Sequence, residues 1–385
     1  MIFEFDVKNI ICKYMFDLKD VINLYNLNKD HQDNIKITNL YNIPKKYLKK
    51  LNREIIYSSL QRDLPPAPSP SPRIVLQKKF KFIEKLNVYN NKEIKNINHI
   101  RETLKELNCS YNEIDQKGIN ELKLIKLNAL DNANIKNINH MRETLKVLYC
   151  GGCNCGIDQD GISELKLIKL DAWNNNKINN VNHMKETIKK LYCEGYGCGI
   201  NHNGIKELRL IKLNARNNIK IKNVNYMKET LKELDCEYDC GIDQEGIKEL
   251  KLIKLNAWYN KKIENVNYMK ETLKELNCEG DCGINQEGIS ELKLIKLNAK
   301  NNDKIQNVNH MKETLEVLYC GGINCGIDQN GISELKLIKL NSYYNKKIHN
   351  VNHMKETLKK LVYGNYFGKY TLIDQAKIKE LNTLC

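Results

Sequence analysis

Residues 249–278, ELKLIKLNAWYNKKIENVNYMKETLKELNC, decide the fold, because the chain repeats close copies of this stretch from about residue 82 to its C-terminus. Within it, Leu252, Leu255, Ala257, Asn260 and Ile263 spell LxxLxAxxNxxI, and the same frame restarts 21 residues later. Self-similarity at a fixed short period is typical of stacked units, each of which buries its apolar side only against its neighbours. The sequence therefore predicts a binding scaffold built from coils.

The leucine that anchors the frame recurs fourteen times at intervals of 20 to 22 residues. The frame resembles the leucine-rich repeat, with a small residue in its third apolar slot. This resemblance implies an α/β solenoid over residues 74–385, in which a curved parallel sheet of short strands is backed by short convex helices or turns. The anchoring leucines are Leu86, Leu107, Leu127, Leu148, Leu170, Leu191, Leu213, Leu234, Leu255, Leu276, Leu297, Leu318, Leu340 and Leu361.

The coils alternate between two kinds, one reading LKLIKLNAxxNxKIxNVNxMKE and its partner LKELxCxxxCGIDQxGIxE. The cysteine-bearing coils resemble those of F-box/leucine-rich-repeat proteins of the kind that giant DNA viruses of amoebae encode. We expect NVNxMKETL to form a short convex helix. The recurring glycine of IDQxGI, as in Gly118 and Gly246, is expected to allow a turn with positive φ. After Leu361 the pattern degenerates, which predicts a C-terminal cap.

Residues 1–62 do not repeat and contain two segments with apolar residues at helical spacing. The run FDVKNIICKYMFDLKDVINLYNLNKD resembles the F-box. That resemblance implies that a Skp1-type adaptor of a cullin ubiquitin ligase binds this segment. The residues that would contact it are Phe5, Ile10, Ile11, Leu18 and Val21. The residues alone leave a second interpretation open, a small helical cap that covers the apolar end of the first coil.

Five of the six prolines lie in residues 63–73, DLPPAPSPSPR. Proline removes a backbone donor and restricts the backbone, so this segment joins neither a helix nor a sheet and predicts a linker between the two regions. The start of the chain has acidic and basic residues where a secretory signal needs an apolar run, and no stretch is long enough to span a membrane. We therefore expect an intracellular, cytoplasmic protein with reduced cysteines and no membrane partner.

Neither the cysteines nor the histidines form a convincing chemical site. The spacing within pairs such as Cys236 and Cys240 drifts from coil to coil, and the first cysteine takes the inward slot that Ala257 occupies in the sister coil. A small buried residue explains that position better than a zinc ligand does. The histidine column is interrupted by Tyr226 and Tyr268. The sequence predicts no metal, no cofactor and no enzymatic activity.

Two columns of residues are the candidates for partner binding. A lysine column runs along the strands, and a column rich in aromatic and basic residues follows the small inward residue. Aromatic and arginine side chains are over-represented at interface hot spots, although drift at a solvated position explains the second column equally well. The predicted partner-binding residues are Lys126, Lys169, Trp173, Lys212, Arg216, Lys254, Trp258, Tyr259, Lys296, Lys300, Lys339 and Tyr343.

Charge on the strand face follows from the same alignment. Glutamates in neighbouring coils are expected to pair with the lysines. Where Val147, Val317 or a lysine takes the glutamate position, the lysines are expected to remain free, which would leave the concave face basic. This expectation agrees with the net charge of +15.

Two hypotheses about function remain. The first is a substrate-recognition subunit of a cullin ubiquitin ligase, in which the F-box-like segment docks Skp1 and the concave face holds the protein to be modified. The alternative is a non-enzymatic leucine-rich-repeat interaction protein without a ubiquitin link. Nucleic acid is a less favoured partner, because few aromatic residues are interleaved with the lysines.

Overall fold

The computed structural model describes residues 39–40, 83–92, 94–364 and 371–374. The five predicted adaptor-binding residues and the proline-rich linker lie outside these ranges. The chain forms two compact units, one of residues 1–188 and 197–199 and the other of residues 189–196 and 200–385. The described residues of each unit form a stack of coils.

From β2 (Lys85–Asn87) onward, the first unit places one short strand per coil in a parallel sheet, and β1 (Asn39–Leu40), from the non-repeating residues, pairs with β2 at its edge. Each strand pairs with its sequence neighbour, and the anchoring leucines lie directly opposite one another, as Leu107 does to Leu127. The strands are β1 (Asn39–Leu40), β2 (Lys85–Asn87), β3 (Glu106–Asn108), β4 (Lys126–Asn128), β5 (Val147–Tyr149) and β6 (Lys169–Asp171).

The second unit continues the same pattern through nine parallel strands. They are β7 (Lys190–Tyr192), β8 (Lys212–Asn214), β9 (Glu233–Asp235), β10 (Lys254–Asn256), β11 (Glu275–Asn277), β12 (Lys296–Asn298), β13 (Val317–Tyr319), β14 (Lys339–Asn341) and β15 (Lys360–Tyr363). A further strand, β16 (Thr371–Asp374), pairs antiparallel with β15, where the sequence pattern changes. All fourteen predicted leucines lie in β2–β15 and are buried, which confirms the leucine-rich-repeat fold.

The predicted short helices are single 3₁₀ turns in every sister coil, and they bury a methionine or isoleucine. The 3₁₀ helices of the described ranges are Asn98–Ile100, Asn139–Met141, Asp160–Ile162, Asn182–Met184, Asn225–Met227, Asn267–Met269, Glu287–Ile289, Asn309–Met311, Asn330–Ile332 and Asn352–Met354. One α-helix, α1 (Gln244–Ile247), replaces a 3₁₀ turn, and Asp243 caps it by accepting a hydrogen bond from the Gly246 amide. None of the helices described is long and apolar enough to cross a membrane.

A ladder of buried asparagines explains the Asn of the LxxLxAxxNxxI frame. Asn260 donates from Nδ2 to the carbonyl oxygens of Cys236 (2.8 Å) and Ile242 (3.2 Å) in the preceding coil, and its Oδ1 accepts from the Lys262 amide at 2.9 Å. Asn302 makes the same bonds one pair of coils later. Backbone groups that turn away from the sheet need such partners, because an unsatisfied buried carbonyl is costly.

The expectation that the IDQxGI glycines adopt positive φ is wrong. Gly118 and Gly246 are not among the positive-φ residues of the described chain. They are required for another reason: a Cβ on Gly118 would lie 2.0 Å from the Lys95 carbonyl oxygen, and one on Gly246 would lie 2.1 Å from the Lys222 carbonyl oxygen. Close approach of successive coils, and not turn geometry, selects glycine here.

Candidate functional site

The strand face of the second unit is a row of paired charges. Residues on either side of each buried leucine point away from the core, so lysines and glutamates from adjacent strands meet. Lys212 lies 2.8 Å from Glu233, and Lys254 lies 2.6 Å from Glu275. The Lys212 ammonium lowers the pKa of Glu233. The predicted neutralisation across strands therefore occurs where glutamate is present.

Where valine replaces glutamate, the lysine contacts a tyrosine of the same coil as the valine instead. Lys339 Nζ donates to the Tyr319 hydroxyl at 2.8 Å and lies 4.8 Å from the centre of its ring. In the first unit, Lys169 makes the same contacts with Tyr149, at 3.0 Å and 4.6 Å. The expectation that these lysines remain free is wrong. The signal was present in the sequence, since coils that read VLY replace those that read ELN or ELD.

A groove of about 520 Å³ lies over this face of the second unit. Its walls are the charged residues before each leucine and the asparagines or, at Asp235, the aspartate after it, and Tyr192 and Tyr319 also line it. Three predicted partner-binding residues, Lys212, Lys254 and Lys296, line it as well. The groove thus presents positive charges, negative charges and neutral amides. Such a lining suits a polar segment of a protein ligand better than a small apolar molecule.

The residue four positions after an anchoring leucine has a left-handed backbone. Asparagine, aspartate and glycine tolerate this conformation, and they fill most of the coils. Tyrosine fills the others, where the left-handed backbone costs roughly 1–2 kcal/mol per residue. The left-handed residues of this column are Asn90, Tyr111, Asp131, Gly152, Asn174, Gly195, Asn217, Tyr238, Tyr259, Gly280, Asn301, Gly322 and Tyr344.

Two of these tyrosines belong to one surface cluster in the second unit, formed by Arg216, Tyr238, Trp258 and Tyr259 and called the aromatic cluster below. The Tyr238 ring lies 4.9 Å from the Trp258 ring and stacks on the Tyr259 ring at 5.5 Å. The Arg216 guanidinium lies 4.8 Å from the Tyr238 ring centre. Tyr259 is 40% exposed, and its ring lies where a side chain on Gly280 would be. Residues from three successive coils therefore form one partly exposed surface, in which Tyr259 is exposed and the other three side chains are half-buried.

Carboxyl groups lie beside the aromatic cluster. Glu237 is only 6% exposed, and its Oε2 forms an ion pair with Arg216 Nε at 3.1 Å. Asn256 Nδ2 donates to both Glu237 and Asp235, the latter at 3.2 Å. Burial and the neighbouring Glu237 carboxylate raise the pKa of Asp235 to about 7. Burial likewise raises the pKa of Glu237.

The structure brings together only part of the predicted set. Arg216, Trp258 and Tyr259 form the aromatic cluster, whereas Lys300 is paired with Glu279 at 3.3 Å. Tyr343 lies in a coil outside the aromatic cluster, where its ring is 4.0 Å from the ring of the adjacent Tyr344. Lys126, Lys169 and Trp173 belong to the first unit.

Sequence reasoning missed Tyr238, Glu237 and Asp235. These three residues lie in a cysteine-bearing coil, between the sister coils that carry Arg216 and Trp258. An alignment of the sister coils with one another therefore does not include them. Tyr238 occupies a column in which the other cysteine-bearing coils carry mostly glycine. A comparison of every coil with its immediate neighbours would have revealed it.

The inward cysteines and several histidines of the convex turns have structural roles in the described chain. Cys236 and Cys278 are completely buried, and burial raises the pKa of both thiols well above the ordinary value. His140 and His310 each place Nε2 within 3.1 Å of a backbone carbonyl oxygen of a neighbouring coil. Burial lowers the pKa of both imidazoles. The described residues contain no group of three or more histidines, cysteines or carboxylates arranged to hold a metal.

Comparison with solved structures finds similar chains at low identity. The functional domain of InlJ from Listeria monocytogenes, described as including a cysteine ladder, aligns with a TM-score of 0.39 and 14% identity over 76% of this chain and 66% of that one. A TLR13–ssRNA13 complex aligns with a TM-score of 0.41 and 15% identity over 84% of this chain and 60% of that one. This chain therefore covers less than two thirds of either protein. No family model matches the sequence, and no curated protein matches it.

Proposed function

We propose that this chain is a non-enzymatic scaffold for protein binding, and that its target contacts the aromatic cluster and the adjoining groove of the second unit. The observation that carries the proposal is the placement of Tyr238 and Tyr259 in left-handed backbone, at φ of 55° and 54°. Nine other coils fill this position with asparagine, aspartate or glycine and build the same turn, and only Tyr111 and Tyr344 repeat the tyrosine among the described residues. Backbone strain that the scaffold does not need is characteristic of functional positions.

The chemistry of the cluster fits a protein ligand. Large planar rings and an arginine bury much area for little lost side-chain entropy, and they dominate hot spots at protein interfaces. The groove beside the cluster supplies lysine, glutamate and asparagine groups, which resemble the polar rim of such an interface. Arg216 and Trp258 follow groove residues by two positions, and Asn214 Oδ1 and Asn256 Oδ1 accept from their backbone amides at 3.0 and 3.4 Å. The two surfaces are therefore continuous.

The test is affinity capture of a target with the full chain, followed by a binding measurement on the purified target. Tyr259→Asn combined with Trp258→Ala should weaken binding at least about thirtyfold, which corresponds to a hot-spot loss of about 2 kcal/mol. Tyr344→Asn is the matched control, since Tyr344 has the same left-handed backbone in another coil. Unchanged affinity of the double variant would refute the proposed site.

The narrower hypothesis is that the scaffold recruits substrates to a cullin ubiquitin ligase inside the cell. It depends on the resemblance of residues 1–62 to the F-box. Residues 1–62 should bind purified Skp1, and Ile10→Asp combined with Leu18→Asp should abolish that binding. If the unaltered segment fails to bind Skp1, the adaptor role is excluded and the scaffold role stands alone.

A further inference from the structure

A second surface lies at the opposite end of the same strands, two positions before each anchoring leucine. Backbone hydrogen bonds join these residues across the coils of the second unit. The Lys232 amide donates to Ile211 O at 2.9 Å, the Ile253 amide to Lys232 O at 2.8 Å, and the Lys274 amide to Ile253 O at 2.9 Å. The ladder reads Ile211, Lys232, Ile253, Lys274, Ile295, Glu316, Ile338 and Lys359.

The isoleucines of this ladder, Ile211, Ile253, Ile295 and Ile338, are called the isoleucine row. Their side chains are 44%, 41%, 42% and 36% exposed, so the core does not require them. The intervening coils carry lysine or glutamate at the same step of the ladder and make the same backbone bonds. Successive isoleucines are two strands apart, a separation of about 9.6 Å at the usual strand spacing.

The row is flanked mainly by basic side chains, and these have no carboxylate partner among the described residues. Lys232, Lys274 and Lys359 alternate with the isoleucines, and Glu316 is the one acidic residue of the ladder, between Ile295 and Ile338. Two positions before the isoleucines stand Arg209, Lys251, Lys293 and Lys336. This contrasts with the strand face, where Lys212 and Lys254 are already neutralised by glutamates. The charge of the isoleucine row is therefore available to a ligand of opposite sign.

We propose that the isoleucine row is a docking surface for an acidic amphipathic α-helix of a partner protein, with an apolar residue at every seventh position. Seven residues of α-helix rise about 10.5 Å, and a helix inclined by about 24° to the row matches the 9.6 Å step. Glutamates or aspartates on either side of the apolar positions pair with the flanking lysines. Burial of the isoleucines drives association, and the basic residues select an acidic partner.

A membrane surface fits these observations less well. The row is one residue wide, and no second row of exposed apolar side chains runs beside it in the described part of the second unit. A line of apolar contacts matches one face of a helix, whereas insertion into a bilayer calls for a broader apolar face. This surface does not include any residue of the aromatic cluster, so its test is independent of the proposed function.

The experiment uses the full chain and a synthetic helical peptide of about 22 residues, which spans three heptads, with leucine at each seventh position and glutamate at the flanking positions. Fluorescence anisotropy measures its affinity. Ile253→Glu and Ile295→Glu should each weaken binding at least about tenfold. Both variants should fold, because Glu316 occupies the same step of the ladder. Ile219→Glu is the matched control, since Ile219 is 51% exposed outside the row and should leave the affinity unchanged.

Charge and spacing are tested separately. Lys232→Glu combined with Lys274→Glu should weaken binding of the acidic peptide and strengthen binding of a peptide in which lysine replaces glutamate. Lys206→Glu, at an exposed site outside the row, is the control and should alter the affinity for neither peptide. A peptide with leucine at every fifth position should bind at least about tenfold more weakly. Equal binding of both spacings, or no effect of either isoleucine variant, overturns the proposal. Isoleucine-dependent binding to phosphatidylserine vesicles without peptide binding also overturns it, in favour of a membrane surface.

Discussion

Removal of one rung of the asparagine ladder should destabilise the protein more than any exposed substitution. Asn260→Ala deletes two hydrogen bonds to carbonyl oxygens, those of Cys236 and Ile242, and one from the Lys262 amide. Asn260 is fully buried, so water does not replace these bonds. A buried hydrogen bond contributes about 1 kcal/mol, and an orphaned buried partner costs more. The expected loss in the free energy of unfolding is therefore about 3–4 kcal/mol.

The assay must allow for partial unfolding, because stacked repeats interact mainly with their neighbours and long arrays depart from two-state behaviour. Urea denaturation should be combined with native-state hydrogen exchange of the amides in residues 236–262. Lys261→Ala is the matched control, since Lys261 is exposed and forms only a surface ion pair with Asp281 at 2.6 Å, worth less than about 1 kcal/mol. A loss for Asn260→Ala no larger than that of the control would refute the role of the ladder.

Three further predictions concern close packing, pH and the strand face. Gly288→Ala should lower the free energy of unfolding by about 2 kcal/mol or more, since its Cβ would lie 2.0 Å from the Glu264 carbonyl oxygen; calorimetry checks this. The raised pKa of Asp235 means that the folded state binds more protons than the unfolded state between about pH 4 and 7, so stability should fall as the pH rises through this window. Asp235→Asn should reduce this slope in urea titrations at pH 4 to 8 and stabilise the protein at pH 8, whereas Glu237, whose pKa is also raised, retains part of the slope. Tyr319→Phe should cost less than about 1 kcal/mol in urea, because it removes only the hydroxyl that accepts from Lys339.

Much of the fold was predictable because it depends on a short period. The spacing of leucines alone locates every strand from β2 to β15, and the alternation of lysine with glutamate predicts the pairs on the strand face. The candidate site was predictable only in part. Arg216, Trp258 and Tyr259 stand out from their sister coils, whereas Tyr238 was missed because it lies in the intervening coil.

The sequence by itself determined the coil length, the buried leucines and the slot that Ala257 and Cys278 share, since each of these repeats along the chain. Only the tertiary structure decided which residues meet across coils. It shows that Gly246 is selected by a carbonyl oxygen of the preceding coil and not by its own backbone angles. It also shows that Lys339, which has no glutamate opposite it because Val317 takes that position, donates a hydrogen bond to the Tyr319 hydroxyl. The physical reason is the same in both cases: stacking places residues about 20 positions apart within a few ångströms, and such contacts depend on the register and backbone of neighbouring coils.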